Sequence, residues 1–244
     1  MILEACVNSS ISAIEAQKGG ALRVELCENL HDGGTTPSAG AIQFARKNLH
    51  IGLYVMIRPR GGDFLYSDHE FEIMQEDILH AKALGADGVV FGILLPDGTI
   101  DMPRMKILVD LARPMGVTCH RAFDMTADPD KAMEDLISLG VNRILTSGQQ
   151  PTAPQGAALI RDLITKSAGR ITIMPGSGVK EHNVAELIHA TGATEVHMHL
   201  EKQVPSAMQF RQSSVYMGIP GQSEFESTIT DWQRFRSVTS GLKG

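Results

Sequence analysis

Short runs of apolar, β-prone residues recur along the chain at intervals of about 20 to 35 residues. The longer segments between them carry apolar residues at helical spacing. Glycine often precedes the next run, as in Lys18-Gly19-Gly20 and Leu139-Gly140, which is typical of a helix C-cap followed by a strand. The predicted strands are Ile2–Val7, Leu22–Cys27, Leu53–Arg58, Gly88–Ile93, Val117–Arg121, Arg143–Ser147, Ile171–Pro175 and Glu195–Leu200.

Eight strands that alternate with helices predict an α/β protein with a parallel sheet, and the number favours closure into a single-domain (β/α)8 TIM-type barrel. An open doubly wound sheet is the competing prediction, which is less favoured because no glycine-rich phosphate loop follows the first strand. We expect one domain over residues 1–244, with a long loop at about 201–222 and a C-terminal helix at about 223–237. That loop would be a lid over the barrel mouth or a contact with another subunit.

Charge and composition narrow the class of protein. The formal net charge of −6 comes without a basic block, which argues against nucleic acid or an acidic membrane surface as a partner. No apolar run approaches the ~18 residues of a membrane span, and the N-terminus does not resemble a signal peptide. The three cysteines do not make a disulfide framework. We therefore expect a soluble, cytoplasmic protein.

Alternate residues of a barrel strand face the interior, and the others meet the helices. One phase of most predicted strands is apolar, as in Leu3, Ala5 and Val7, so the other phase is predicted to be interior. Strands four and six show no clear phase. Buried charges are costly unless they are paired or used, so this interior set is the most informative feature of the sequence. Its members are Glu4, Cys6, Asn8, Arg23, Glu25, Cys27, Asn29, Tyr54, Met56, Arg58, Arg60, Thr118, His120, Thr172, Met174, Gly176, Glu195, His197 and His199.

Two interior cysteines, Cys6 and Cys27, lie at matching heights on neighbouring strands. Two thiolates with Met56, Met174 or a histidine nearby would suit a soft metal such as Cu(I) or Zn. The alternative is that both thiols are buried and pack as small hydrophobic side chains. Cys119 falls in the helix-facing phase and is expected to be structural.

The interior carboxylates and His120 are candidates for acid–base chemistry. Glu4 and Glu25 share the interior with cationic side chains, an arrangement that can move protons or bind a metal. His120 ends strand five, and Asp124 could orient it as a base. The alternatives are a buried salt-bridge network and a histidine satisfied within the core.

Several groups near the strand ends are candidates for binding an anion. Arg58 and Arg60 stand in a glycine-containing loop, where the planar guanidinium suits carboxylate or phosphate. The turn Gly176-Ser177-Gly178 follows strand seven, near the usual phosphate site of such barrels. The remaining candidates are Thr146 and Ser147 after strand six, and His197 and His199 on strand eight, the last two also as a ligand or acid–base pair. An ordinary surface loop and a tight turn that needs glycine are the alternatives.

Taken together, these motifs resemble the CutC family from residue 2 to about residue 200. They are Glu4-x-Cys6, Arg23-Val-Glu-Leu-Cys27, Gly33-Gly-Thr-Thr-Pro37, Met56-Ile-Arg-Pro-Arg60-Gly-Gly, His120-Arg121-Ala-Phe-Asp124, Leu145-Thr-Ser-Gly148 and Met174-Pro-Gly-Ser-Gly178. The resemblance implies a cytoplasmic (β/α)8 barrel associated with Cu(I) handling and copper tolerance. Cys6 and Cys27 occupy the positions of the cysteines proposed as copper ligands in that family.

Three functions remain open at the level of sequence. The first is Cu(I) binding by Cys6 and Cys27, with Met56 or His199 as a further ligand. The second is acid–base chemistry of a lyase, isomerase or hydrolase kind on a small anionic or phosphorylated metabolite. The third is a scaffold with a purely structural polar core. We also expect a homodimer, because the C-terminal helix carries Trp232 and Phe235, although that apolar face could instead pack on the barrel.

Overall fold

The computed structural model describes residues 1–212, 214, 215, 217 and 223–242. Eight parallel strands are hydrogen-bonded in a ladder that runs from β7 back through β1 to β8. Strands β7 and β8 lie beside each other across the remaining gap, so the sheet forms a nearly closed barrel. The predicted (β/α)8 barrel is confirmed. The strands are β1 Ile2–Val7, β2 Arg23–Leu26, β3 Gly52–Met56, β4 Gly88–Phe91, β5 Gly116–Cys119, β6 Arg143–Thr146, β7 Thr172–Pro175 and β8 Glu195–Met198.

The helices begin and end where local chemistry predicts. Ser67 and Glu70 form a capping box at the start of the third helix, and Gly140 ends the fifth with a left-handed φ of 77°. The helices are α1 Ser10–Lys18, α2 Ala39–Asn48, α3 Asp68–Ala83, α4 Met102–Ala112, α5 Pro129–Leu139, α6 Ala157–Ser167, α7 Val184–Thr191 and α8 Trp232–Gly241. Within the described part of the chain, none of them combines the length and the apolar character that crossing a bilayer requires.

The segment that follows the barrel differs from its prediction. Glu201–Pro205 forms strand β9, which pairs antiparallel with strand β10, Glu226–Thr230, where the sequence predicted a loop and the start of a helix. The alternating, β-branched sequence of β10 favours a strand. The helix predicted at 223–237 begins only at Trp232, because the Asp231 carboxylate accepts the N–H groups of the first turn. Residues 213, 216 and 218–222 of the predicted loop lie outside the described residues, as do 243 and 244.

The predicted alternation of strand residues is confirmed. The helix-facing phase joins the main core between sheet and helices: Leu3, Ala5, Val7, Val24, Leu26, Leu53, Val55, Ile57, Val117, Cys119, Ile171, Ile173, Val196 and Met198. Inside the barrel, Cys6, Cys27, Met56 and Val90 form a separate small apolar cluster. Val90 shows that the alternation extends to β4, for which the sequence had no clear phase.

One aromatic ring fills the lower interior of the barrel. The Tyr54 side chain crosses over Gly88 and Gly116, where an added Cβ would lie 2.2 Å from the ring and 2.3 Å from its hydroxyl oxygen, respectively. The Arg23 and Arg143 guanidinium carbons lie 5.1 and 5.4 Å from the ring centroid. The interior of such barrels usually holds branched aliphatic residues. Here its lower part holds Tyr54 with two arginines at cation–π distance.

The apolar face of α8 packs on α1. Phe235 is fully buried, and a Cβ added at Gly19 would lie 2.6 Å from the Phe235 Cβ. The Lys18 Nζ atom lies 4.2 Å from the Trp232 ring centroid. The face on which a homodimer was predicted is therefore used within the chain.

Gly88→Ala tests the arrangement of the barrel floor. The added methyl group meets the Tyr54 ring, which is held between two arginines, so we expect the free energy of unfolding to fall by about 1–3 kcal/mol. Gly40→Ala is the matched control, because Gly40 lies exposed in α2 with no close neighbour, and alanine there should stabilise by about 0.5–1 kcal/mol. Urea denaturation measures both. A Gly88→Ala protein as stable as the wild type would contradict the packing described.

Candidate functional site

A buried ion network spans the lower half of the barrel. Arg23 Nη2 donates to Glu195 Oε2 at 2.5 Å, and Arg23 Nε donates to Glu4 Oε2. Arg143 donates to both Glu195 oxygens, at 2.5 and 3.1 Å. Each charge therefore has an opposite partner, as a buried ion requires. Sequence reasoning missed Arg143, although it begins β6 just as Arg23 begins β2.

Glu4 links this network to the upper half of the barrel. Its Oε1 atom lies 2.8 Å from His197 Nδ1. Burial opposes ionisation of Glu4, but the hydrogen bond to His197 and the charge of Arg23 outweigh it and lower the pKa of Glu4 to about 2. A carboxylate with so low a pKa is a weak base. The geometry makes Glu4 the group that orients His197, in place of the acid–base role predicted for it.

The two thiols do not lie at matching heights as predicted, because the register of β1 and β2 puts Cys6 opposite Glu25 rather than Cys27. Both thiols nevertheless lie beside Glu25, which also lies close to Glu4 and His197. One ligand atom from each of Cys6, Glu25 and Cys27 lies within 4.8 Å of the other two, and the same holds for Glu4, Glu25 and His197. Glu25 Oε2 lies 3.5 Å from Cys27 Sγ and 3.7 Å from His197 Nε2. We call these five buried residues the mouth cluster.

The pKa values of the side chains in the mouth cluster shift in opposite directions. The hydrogen bond from Cys27 lowers the pKa of Cys6 well below its usual value, against burial and with help from His197 and His199. The same hydrogen bond, together with burial, raises the pKa of Cys27. Burial raises the pKa of Glu25 to about 8, despite the opposing charge of His197. Cys6 is therefore the thiol most inclined to ionise.

His199 lies beside Cys6 at the rim of the barrel. Its Nδ1 atom is 3.0 Å from the Cys6 carbonyl oxygen, and its Nε2 atom is 2.7 Å from Glu201 Oε2. A hydrogen bond with the Cys6 thiol raises the pKa of His199 to about 9. A protonated His199 favours the Cys6 thiolate electrostatically.

The structure does not join His120 to Asp124. Among the described residues, His120 Nδ1 accepts the Ala122 N–H at 3.2 Å, and no hydrogen bond to Asp124 occurs. Asp124 instead accepts the Thr146 hydroxyl, and it accepts the Ser147 N–H and hydroxyl at 3.0 and 2.9 Å. The orienting role predicted for Asp124 is wrong. Thr146 and Ser147, predicted to bind an anion, are likewise engaged in holding the loop after β6.

The two arginines after β3 have different surroundings. Arg60 is saturated within its own loop and α3: its Nε donates to Glu70 at 2.6 Å, and an Nη atom donates to Asp63 at 3.0 Å. It is not among the residues that line the two cavities at the barrel mouth, and these contacts favour a loop-stabilising role over the anion-binding role predicted for it. Arg58 is buried, and it donates to three backbone carbonyls.

The turn after β7 has both structural and lining residues. A Cβ at Gly176 would lie 2.4 Å from Leu145 Cδ1 and 3.2 Å from His197 Cβ, so a larger residue there would have to displace the Leu145 side chain. The Ser177 hydroxyl donates to the Pro151 carbonyl at 3.0 Å. Ser177, Gly178 and Lys180 line the barrel mouth. The predicted turn therefore lies at the site, while its binding of an anion stays a prediction.

Two adjoining cavities open at the carboxyl ends of the strands. An outer cavity of about 530 Å³ and an inner cavity of about 200 Å³ share Cys6, Gly33, Arg121 and His197 as lining residues. Arg121 was quoted in a motif without an assigned role. Its guanidinium donates to Asp124 at 2.7 Å and to the Ser147 hydroxyl at 2.8 Å, which places it at the boundary of the two cavities.

Fold and site together define a (β/α)8 barrel that holds two buried thiols beside imidazole and carboxylate groups at its mouth. The model of the CutC family matches residues 1–202, and the chain belongs to this family.

Relatives extend the match over nearly the whole chain. A family protein CutC of Chromobacterium violaceum is 49% identical over 99% of this chain and 98% of its own length. A copper homeostasis protein cutC homolog of Mus musculus is 48% identical over 99% of this chain and 89% of its own length. A crystal structure of a CutC protein from Streptococcus agalactiae is 37% identical with a TM-score of 0.78, covering 81% of this chain and 97% of that chain.

The titration of His120 gives a pH test of the site. Burial, aided by the charge of Arg58, lowers the pKa of His120 to about 3 from its usual 6.5, so the folded state keeps the ring neutral. Between pH ~6.5 and about 3, the His120 side chain binds a proton in the unfolded chain but not in the folded protein. The stability that the neutral His120 ring contributes is therefore complete above pH ~6.5 and is lost as the pH falls towards about 3.

We therefore expect His120→Asn to flatten this part of the pH–stability profile. Asparagine can accept the Ala122 N–H as the histidine does, but it does not titrate. In the window below pH ~6.5, the wild type should lose up to about 1.4 kcal/mol per pH unit more than the variant. Urea denaturation at a series of pH values measures the difference. Parallel profiles for the two proteins would contradict a neutral, buried His120.

Proposed function

We propose that the protein binds Cu(I) through the thiolates of Cys6 and Cys27 and serves in copper homeostasis. The observation that carries this proposal is the convergence of Cys6, Cys27 and Glu25 ligand atoms within 4.8 Å of one another. Thiolates are the ligands that select Cu(I) from harder cations. The name of the mouse relative, a copper homeostasis protein homolog, supports the same function.

The surroundings of the thiols fit a soft monovalent metal. Met56 packs in the same apolar cluster as Cys6 and Cys27, and a thioether is a further soft ligand. His199 is less suited to that place, because its ring nitrogens already lie against the Cys6 carbonyl and Glu201. Met56 is therefore the preferred third ligand of the two considered.

The positions of the two thiols support an order in which Cu(I) contacts Cys6 before Cys27. Cys6 lines the outer cavity and is 9% exposed, whereas Cys27 is 0% exposed. Cu(I) entering from the mouth would meet the ionised Cys6 first, and binding to Cys27 would release its proton. A reducing cytoplasm, which keeps thiols free, is the compartment that this proposal requires.

A Cu(I) titration against a competing chelator tests the proposal. We expect the Cys6→Ser/Cys27→Ser double variant to bind Cu(I) at least about 100-fold more weakly than the wild type, since loss of ligands should exceed the effect of altering their surroundings. Met56→Leu should weaken binding by a smaller factor, because it keeps the packing and removes the thioether.

Cys119→Ala is the matched control. Cys119 is a buried thiol in the core between sheet and helices, and burial raises its pKa to about 12, so its loss should leave Cu(I) affinity unchanged. Equal Cu(I) affinity in the wild type and the Cys6→Ser/Cys27→Ser variant would refute the site.

We also propose a homodimer, formed through the described residues just after β9, which include Met208 and Phe210. Met208 and Phe210 are 59% and 74% exposed there, although large apolar side chains are usually covered. Light scattering after size exclusion should give the mass of a dimer for the wild type and of a monomer for Met208→Ser/Phe210→Ser. Ile73→Ser, at an exposed apolar position of α3, should remain a dimer. A monomer mass for the wild type by light scattering would contradict the proposed dimer.

A further inference from the structure

The inner cavity collects polar atoms that have no protein partner. Among the described residues, four buried side-chain nitrogen or oxygen atoms have no partner at ordinary hydrogen-bond geometry: Glu25 Oε1, Arg58 Nε, Tyr66 Oη and His120 Nε2. Tyr66 lies beside Arg58: burial raises the pKa of the Tyr66 hydroxyl, and the neighbouring guanidinium opposes that rise. Three of the four residues, Glu25, Arg58 and His120, line the inner cavity. Buried polar groups are normally hydrogen-bonded, and each exception needs an explanation. Their concentration around one cavity indicates a ligand-binding site.

Arg58 brings a positive charge that no carboxylate neutralises. Its side chain is buried, and its two Nη atoms donate to the carbonyl oxygens of Asp32, Gly34 and Gly62 at 2.6, 2.9 and 2.7 Å. Within the described part of the chain, no acidic side chain forms an ion pair with Arg58. Those carbonyls orient the guanidinium but leave its charge uncompensated, which favours an anionic ligand.

His120 supplies a second donor on the same wall. Its Nδ1 accepts the Ala122 N–H, so the neutral imidazole carries its proton on Nε2. The Phe64 ring contacts both groups: its centroid is 4.9 Å from that of His120 and 5.1 Å from the Arg58 guanidinium carbon. Two N–H donors beside one aromatic ring suit the paired oxygens of a carboxylate.

The size and walls of the cavity limit the rest of the ligand. A volume of about 200 Å³ has room for a small organic molecule and exceeds what a single water or ion fills. Met56, Phe64 and Leu145 supply apolar walls for a short carbon chain. Glu25, whose Oε1 lacks a partner, also lines the cavity and would accept a hydroxyl hydrogen bond.

We propose that the inner cavity binds a short-chain hydroxy monocarboxylate, with its carboxylate on Arg58 and His120 and its hydroxyl on Glu25. Such a ligand satisfies all three unpartnered atoms and neutralises Arg58. This site adjoins the thiols but does not depend on a metal. It goes beyond the proposed copper function, and the two can be tested separately.

Isothermal titration of the metal-free protein with 3-hydroxybutanoate, butanoate and the neutral 3-hydroxybutanamide tests the proposal. We expect 3-hydroxybutanoate to bind most tightly. The amide should bind at least about tenfold more weakly than the acid, because the amide lacks the charge that pairs with Arg58. His120→Asn keeps the cap on Ala122 but lacks the Nε2 donor, so it should weaken both carboxylates about tenfold or more. Glu25→Met should weaken the binding of 3-hydroxybutanoate and leave the binding of butanoate, which lacks the hydroxyl, unchanged.

The Cys6→Ser/Cys27→Ser variant separates this site from the copper site. Cys6 lines both cavities and Cys27 Sγ lies 3.5 Å from Glu25 Oε2, so serine is chosen because it keeps the size and the hydrogen-bonding capacity of each thiol. The variant should lose at least about 100-fold in Cu(I) affinity, while its affinity for 3-hydroxybutanoate should change by no more than about threefold. Circular dichroism confirms that each variant is folded before titration. Equal affinity of the wild type and folded His120→Asn for 3-hydroxybutanoate would overturn the proposal, as would equal binding of the acid and its amide. Absence of wild-type binding to either carboxylate at millimolar concentration would do the same.

Discussion

The pairing of Arg23 with Glu4 and Glu195 is the interaction on which the interior of this barrel depends. An unpaired charge in that place would strongly destabilise the fold, and removal of one partner from such a network costs more than the pair contributes. The pairing keeps Glu4 ionised at the centre of the barrel. Ionised Glu4 holds the ring of His197, and His197 in turn contacts Glu25 and favours the Cys6 thiolate. The chemistry at the mouth therefore follows from charge compensation at the floor.

The mouth combines two environments within one opening. Cys6 faces the larger outer cavity, while Arg58, His120 and Phe64 line the smaller inner one. Cys6 and His197 line both cavities, so a ligand in either lies near the thiol that ionises most readily. Arg121 lies at the boundary and is tied to Asp124, which fixes the rim of the opening. The thiol of Cys6 and the side chains of Arg58 and His120 therefore lie on the walls of two adjoining cavities.

Several side chains with the right chemistry for a ligand serve the loops instead. Asp124 organises the loop after β6 through Thr146 and Ser147, and Arg60 is saturated by its own loop and by Glu70. Such hydrogen bonds connect residues that are distant in sequence or depend on the path of a loop. Residue type and spacing therefore could not distinguish a loop-stabilising group from a ligand-binding one. The same limit applies to the segment after the barrel, where β10 pairs with β9. The helical spacing of apolar residues is a local pattern, and it did not indicate this pairing between two separated segments.

The sequence by itself determined the barrel, the phase of most strands and most of the polar interior residues, with Arg143 of the unphased β6 left out. Strand alternation and helix caps are local properties, so Glu4, Cys6, Glu25 and Cys27 could be placed inside from their neighbours alone. Only the tertiary structure decided which of these groups meet. Arg143 reaches Glu195 from a distant strand, and His197 bridges Glu4 and Glu25 because closure of the sheet puts β8 beside β1. Partner choice across a barrel depends on register and closure, and no local pattern encodes those distances.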